Sequence, residues 1–324
     1  MPDAPADSFA WHILPPDGTP LLLAFSGGRD SVAMLDILLA AGRWPLVLCH
    51  FNHGLRGRES GADARFARAQ ARRHALDFEM EKAATAAHAR TRGQSIETAA
   101  RELRHAFLLR AAARRRAPHV LLAHHLDDQA ETVLANLCRG AGLRGLAGMK
   151  AAQPMPGGVL FLRPMLGVSR AEIDARIRAR RLPYREDASN QSRDHRRNRL
   201  RHEVLPLLDE IFERRTAPLI CRAAAQAGLA EAHLDAGARA LLADPALLNS
   251  DGSLNLARPL LRLHPALLGH TLRLWLCGQL GLDGIGSAEV GAASSMLAPG
   301  GPAKVNLPGG RHLRRKARRL WVEA

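Results

Sequence analysis

The chain has 324 residues, and its 46 Lys and Arg against 31 Asp and Glu leave a formal charge of +15. That length exceeds what one hydrophobic core usually supports, so two domains are expected. The charge calls for a polyanionic partner, nucleic acid first, unless an Arg-rich, GC-biased coding sequence has merely coated the surface with arginine.

Four cysteines (Cys49, Cys138, Cys221 and Cys277) stand far apart with no C-x-x-C pair. This argues against structural zinc, an iron–sulfur cluster or a disulfide framework, and fits a reducing cytosol. The acidic start MPDAPADSFAWHI lacks a basic-then-apolar signal. No run approaches the ~18 apolar residues of a membrane span, so a cytoplasmic protein is expected.

In chain order, PLLLAFS (20–26) is a continuous apolar run, as expected of a strand buried on both faces. DSVAMLDILLAAG (30–42) follows with an apolar helical face and Gly42 as its stop. PLVLCHFN reads as a second buried strand, ESGADARFARAQARRHA as an amphipathic helix and LDFEM as a third strand. SIETAARELRHAFLLRAAARRR is a long helix, and HVLLAHH is a fourth strand running into DDQAETVLANLCRG. PMPGGVLFLRPML reads as a turn and a strand, after which Ser169 and Glu172 make a capping box for RAEIDARIRARRL. This alternation predicts an α/β fold, a doubly wound parallel sheet with helices on both faces. Ligands of such sheets sit outside the carboxyl ends of the strands. Residues 183–208 are polar and irregular before turning helical, and from about Thr216 a long Ala-rich helix leads to a helix around ALLGHTLRLWLCGQLG. The final AKVNLPGGRHLRRKARRLWVEA reads as a β-meander, giving a smaller α+β domain over 216–324 after a first domain over 1–215.

Five clusters carry chemistry. Ser26-Gly27-Gly28-Arg29-Asp30-Ser31 leaves a strand and enters a helix. Backbone N–H groups there lie at the positive end of a helix dipole, and two glycines admit an anion. Neither G-x-x-x-x-G-K-[ST] nor G-x-G-x-x-G is present, so alone the loop reads equally as a tight turn with Asp30 as N-cap. His50, Asn52, His53 and Arg56 follow the second strand; exposed loop polarity explains any one of them. His124 closes the fourth strand, and Asp127, Asp128 and Glu131 share a helix face beyond it. A cap would explain Asp128-x-x-Glu131, but one cap does not need three carboxylates and two histidines. Arg101 and Arg104 face one way on a helix, and Asn198, Arg199 and Arg201 lie in a basic run. Each group is either a solvated face or a set of cations for a nucleotide or RNA backbone.

S-G-G-x-D-S after the first strand resembles the PP-loop of N-type ATP pyrophosphatases. NHGLR (52–56), ETAARELRHAF (97–107), HHLDDQAETVL (124–134), RPML (163–166) and EDASN…RRNRLR (186–201) resemble, in order, the tRNA(Ile)-lysidine synthase family. The likeness is dense over about 20–205 and loose beyond. It implies a Rossmann-like PP-loop ATPase fold using ATP and Mg²⁺. It implies a ligation in which the wobble cytidine of tRNA(Ile) with a CAU anticodon is adenylated, and free L-lysine then displaces AMP. Ser26, Gly27, Gly28, Arg29, Asp30 and Ser31 would hold the pyrophosphate, with Asp30 a magnesium ligand. Asp30, Arg104, His124, Asp128 and Glu131 would form the catalytic set. Asn52, His53, Arg56, Arg101, Asp127, Asn198, Arg199, Arg201, Arg314 and Arg315 would contact tRNA or lysine.

Three departures from the family pattern stand out. Arg29 fills a loop position usually small or apolar, and His105 and His195 stand where an aromatic is common. Rival readings are weaker. A tRNA thiolase needs paired cysteines, a small-molecule amidating synthetase does not need the polyanion-binding charge, and a bare RNA-binding module leaves the loop and the carboxylates unused. The sequence leaves the oligomeric state open, a homodimer included.

Overall fold

A computed structural model describes residues 8–55, 57–186, 196–256, 258–281 and 285–323. By internal contacts the chain divides into two compact units. One is Met1–Arg139 with Gly148–Arg222, and the other is Gly140–Ala147 with Ala223–Ala324.

The first unit opens with β1 (Leu21–Ala24), α1 (Arg29–Ala41), β2 (Leu46–Asn52), α2 (Arg58–Arg73), β3 (Asp77–Lys82), α3 (Thr85–Arg92) and α4 (Ile96–Arg115). It continues with β4 (His119–Leu121), α5 (Leu126–Leu137), then, past α6 (Leu143–Leu146) of the second unit, β5 (Ala152–Pro154), β6 (Leu160–Leu162) and α7 (Arg170–Ala179). The sheet order is β3-β2-β1-β4-β6-β5. β1, β2, β3, β4 and β6 are parallel, as expected. β5 is antiparallel to β6, because Gly157 at φ 74° folds the chain back on itself. The expected single strand is therefore the second arm of a hairpin, and the sheet has one antiparallel edge.

Strand alternation sorts the core into two layers. Leu21, Leu23, Leu46, Leu48 and Leu121 pack with residues of α1, α2 and α7. Leu22, Val47, Cys49, Val120 and Leu122 pack with Phe107, Leu108, Ala111 and Ala112 of α4 on the other face. The Ser169–Glu172 capping box forms as read, with Glu172 Oε2 accepting the Ser169 N–H at 2.7 Å. Beyond α7 come α8 (Arg196–Arg199), a π-helical turn at Leu200–Val204, α9 (Leu205–Ile211) and α10 (Ala217–Leu242), which crosses into the second unit.

The second unit adds β7 (Leu254–Asn255), α11 (Arg258–Leu261), α12 (Pro265–Leu280), α13 (Ser287–Ser295), β8 (Lys304–Asn306), β9 (His312–Lys316) and β10 (Arg319–Glu323). Its antiparallel sheet runs β7-β10-β9-β8. Leu254, Leu272, Trp275, Leu276, Leu313 and Leu320 form a separate core. Among the described residues no helix is long and apolar enough to cross a membrane.

Candidate active site

Sheet order places the site. From β1 the chain builds outward through β2 to β3, then reverses to the other side of β1 through β4 and β6. The reversal leaves a crevice outside the carboxyl ends of β1 and β4, where such folds bind ligands. The glycine loop leaves β1 into that crevice, the His-Asp cluster leaves β4, and Arg163 leaves β6.

In the loop Gly27 has φ +84°, and a Cβ there would lie 3.0 Å from the Phe66 ring. Only glycine fits that backbone and that neighbour together. The helix N-cap is Gly28, in extended conformation, and not Asp30. No side chain caps α1, so the first N–H groups of the helix are left for an anion. The two serines shape the turn. Ser31 Oγ accepts the Gly27 N–H (3.2 Å) and donates to Gly28 O (2.9 Å), while Ser26 Oγ accepts the Gly28 N–H (3.2 Å). The Arg29 guanidinium points away from the loop, to Asp174 at 2.7 Å and over the Tyr184 ring. Only its backbone is available to a ligand in the loop.

Asp30 stands in the first turn of α1, its side chain 32% exposed but its Oδ1 buried without a partner among the described residues. Burial raises its pKa against the pull of His125, and Asp128 adds to the rise. His125 is fully buried and caps α5, its Nδ1 accepting the Asp127 N–H at 3.2 Å. Asp128 Oδ2 completes the box by accepting the His125 N–H at 3.1 Å. Its Nε2 faces Asp128 Oδ2 at 3.4 Å, Asp30 Oδ2 at 3.8 Å and Arg170 Nη2 at 3.3 Å. Burial opposes a charge on His125, but Asp127, Asp128 and Asp30 outweigh it and raise its pKa. Asp128 is thus both part of a cap and part of a cluster. Burial would raise its pKa, yet His125, Arg197 and Arg201 hold it far below the usual carboxylate range. Glu131, 1% exposed, accepts from Arg197 Nε (2.7 Å) and Arg201 Nε (2.6 Å), and both guanidiniums also reach Asp128 (3.0 and 2.9 Å).

The PP-loop domain family matches residues 8–208. The chain belongs to the PP-loop family. It is 44% identical over 196 residues to a tRNA(Ile)-lysidine synthase of Geobacter sulfurreducens, covering 60% of this chain and 41% of that protein. It is 39% identical over 294 residues to a tRNA(Ile)-lysidine synthase of Pseudomonas aeruginosa, covering 86% and 64%. The chain thus spans about half the length of the curated relatives it matches. Among solved structures, the U34-tRNA thiolase NcsA of Methanococcus maripaludis superposes with a TM-score of 0.54 at 17% identity, over 68% of this chain and 75% of that one. That likeness shows the fold alone.

Around the PP-loop crevice the other expected residues divide. His124 lies at the β4 end with Nδ1 accepting from Arg163 Nε at 3.3 Å. Burial, together with Arg163, Arg104 and Arg197, pushes its pKa down to about 3 despite Asp128, so it is neutral. Arg104 is half-buried, its Nε buried with no partner among the described residues. Burial, Arg101 and Arg197 press its pKa down to about 10. Arg101 is exposed beside it. Asp127 ties α5 to α7 and to Arg215, accepting the Arg170 N–H at 2.9 Å and pairing with Arg215 at 3.2 Å. Asn52 is spent on its own turn, Nδ2 donating to Ser60 O and Oδ1 accepting the Gly54 N–H. His53 packs edge-on against Phe51, and Arg199 is exposed and paired with Glu203. Asn198 is half-buried in α8. Arg56 and His195 lie outside the described residues. His105 packs edge-on to Phe161 at 5.0 Å and is held neutral near pKa 4 by burial and by Arg101, Arg104 and Arg163. Arg314 and Arg315 belong to the second unit.

Several further residues build the crevice. Arg163 is 1% exposed and donates to His124, to Lys150 O (2.9 Å) and to Gln153 Oε1 (2.9 Å). His125, Arg163 and Arg197 lie inside the motifs HHLDDQAETVL, RPML and RRNRLR, so their signal was present but unassigned. Arg185 had none. Its N–H donates to Gly27 O at 2.9 Å while its Nε pairs with buried Asp63 at 3.0 Å. It pins the PP-loop from a distant segment.

Proposed function

We propose that this chain ligates free lysine to the wobble cytidine of tRNA(Ile) with a CAU anticodon, using ATP to activate the base and releasing AMP and pyrophosphate. One observation carries the reading. An uncapped glycine loop, made for phosphate, and a set of buried carboxylates, suited to a cation, open on the same switch-point crevice. The name of the curated relatives supports the same reading.

In the first step the ring carbonyl oxygen of the cytidine attacks the α-phosphate of ATP, and pyrophosphate departs toward the uncapped N–H groups at the start of α1. In the second, the lysine ε-amine attacks the activated ring carbon and AMP leaves. Asp128 and Glu131 would hold and orient the incoming amine, sharing their oxygens with Arg197 and Arg201. The unpartnered Oδ1 of Asp30 fits a divalent cation, and Mg²⁺ held there would offset charge on the departing pyrophosphate. Arg104, with Arg101 beside it, would meet the phosphate of the adenylate or of the RNA. The C-terminal unit is assigned to tRNA contact. The test is transfer of radiolabelled lysine to a tRNA(Ile) transcript with a CAU anticodon. ATP-dependent labelling with matching pyrophosphate turnover is the expected result. Pyrophosphate release that depends on sulfide or glutamine, with no label on the RNA, would overturn it.

A further inference from the structure

The sheet of the C-terminal unit has two faces of opposite character. Residues directly opposed in an antiparallel pair share a face. Leu254, Val305, Leu313, Leu320 and Val322 face that unit's core. The register places Lys304, Arg314 and Trp321 in one row of the other face, across β8, β9 and β10. Lys316, Arg319 and Asn255 form the next row, across β9, β10 and β7. Trp321 is half-buried and lies outside the apolar cluster that takes up Trp275. Beside it opens a cavity of about 530 Å³ lined by Asn249, Asn255, Lys316, Arg318, Arg319 and Trp321. That volume falls in the range of small-ligand sites.

The charges on this face are unequal in their freedom. Arg314 is matched by Glu323 at 2.7 Å, and Arg319 by Asp251. Lys316 and Arg318, at the tip of the β9–β10 hairpin, are exposed and have no carboxylate partner among the described residues. Arg315, one residue from Lys316, lies on the inner face and donates to Met296 O and Ala298 O. Alternation turns Arg315 inward, Glu323 and Asp251 take up Arg314 and Arg319, and Lys316 and Arg318 are left. Asn249 and Asn255 spend their amide N–H groups inside the protein, on Ser253 Oγ (2.9 Å) and Ala246 O (3.2 Å). Each leaves its Oδ1 to accept from a base amino group. An aromatic ring on an outer sheet face, rimmed by unpaired cations and acceptors, is the arrangement by which proteins stack unpaired bases.

We propose that the outer face of the C-terminal sheet binds one unpaired nucleotide of a structured RNA, the base stacked on Trp321 and the flanking phosphates held by Lys316 and Arg318. It rests on the reading of the chain as a tRNA-modifying enzyme and gives that enzyme a second contact of its own. The test uses the full chain with two probes, a labelled oligoadenylate (chosen for its amino group) and the tRNA(Ile) transcript. Stacking is worth about 1–3 kcal/mol per base, so Trp321→Ala should weaken oligoadenylate binding about 5- to 150-fold. Trp321→Phe should retain most of the affinity. A Lys316→Gln/Arg318→Gln double variant should flatten the salt dependence by about 1.4 log units per log unit, two phosphates at about 0.7 each. Affinity unchanged in Trp321→Ala, or an unchanged salt slope in the double variant, overturns the proposal. Should Trp321→Ala fail to fold, Trp321→Phe and the salt slope still decide. RNA that takes no lysine but binds in a Trp321-dependent way refutes the ligase reading and leaves the surface standing; lysine transfer with Trp321-independent binding does the reverse.

Discussion

Replacing Glu131 by Gln tests the charge balance of the crevice. Glu131 is 1% exposed and accepts from Arg197 Nε at 2.7 Å, Arg201 Nε at 2.6 Å and Arg201 Nη2 at 3.1 Å. With Asp128 on the same two guanidiniums, two carboxylates balance two arginines. Gln keeps the shape but turns one oxygen into a donor aimed at a guanidinium, and leaves one positive charge unmatched. Removing one partner of a buried pair costs about 3–5 kcal/mol. The arginine side chains retain 20% and 40% exposure, so water recovers part of this, and about 2–3 kcal/mol is expected. In a unit of this size that lowers the melting temperature by about 4–12 °C. Calorimetry of Glu131→Gln beside the parent reads the catalytic unit's transition directly. A Glu131→Gln/Arg201→Gln double variant, with charge restored, should lose less than the sum of the singles. A melt within about 1 °C of the parent would refute the counter-charge reasoning. A lowered melt with lysine transfer intact well below it would assign Glu131 to the scaffold and remove it from the lysine site.

Gly27→Ala puts a side chain at φ +84° against the Phe66 ring, a backbone cost of about 1–2 kcal/mol before the contact is counted. The loop must shift, and ATP-dependent pyrophosphate release should fall by about 100-fold; release near the parental rate would dismiss the loop as the phosphate site. Asp30 has a folded pKa above its ordinary 3.8, raised by burial against His125. Its contribution to stability is present below that value and lost as pH rises through the raised one. Asp30→Asn should therefore melt higher than the parent at neutral pH, with the advantage vanishing on acidification; a pH-independent difference in thermal melts would contradict this. Arg315→Ala strips the donor from two carbonyls near the end of α13, costing the C-terminal unit about 1–3 kcal/mol with little change in tRNA affinity. A fall in affinity without a fall in melting temperature would return Arg315 to the RNA-contacting set.

What could be read from the sequence follows from the range of each interaction. β1, α1 and the glycine loop were legible because an apolar run, a helical face and two glycines are contiguous signals. α3 was not, since TAAHARTR has no apolar period, and β5 is too short to announce itself. Asp30 reads as a cap because acids cap helices, yet the turn begins at Gly28, so its Oδ1 is left without a partner among the described residues. The pairing of Arg197 and Arg201 with Glu131 spans 66 and 70 residues, which no local pattern encodes. The opposite fates of Arg314 and Arg315 depend on which parity of β9 meets the core. That is set by Leu313 facing Val322 on β10, a partner the local run does not specify.

The crevice is graded in charge, and the gradient constrains the chemistry. Asp30, His125, Asp127 and Asp128 gather at the PP-loop end, while Arg104, Arg163 and Arg101 gather toward α4 and β6. The two adjacent histidines, one on each side, have opposite fates. His125, among carboxylates, has its pKa raised, whereas His124, among arginines, is pressed to about 3 by burial and those charges. A base that weak cannot take a proton from an ammonium near neutral pH. His124 serves by holding Arg163 and presenting its remaining ring N–H as a donor. The cationic end is thus left with donors only, which suits phosphate and carbonyl oxygens. On the proposed reading, the incoming amine would be received at the acidic end, the side on which the PP-loop opens. A triphosphate in the loop and an amine on the acids would then approach a base from neighbouring sides, as the proposed ligation through an adenylate requires.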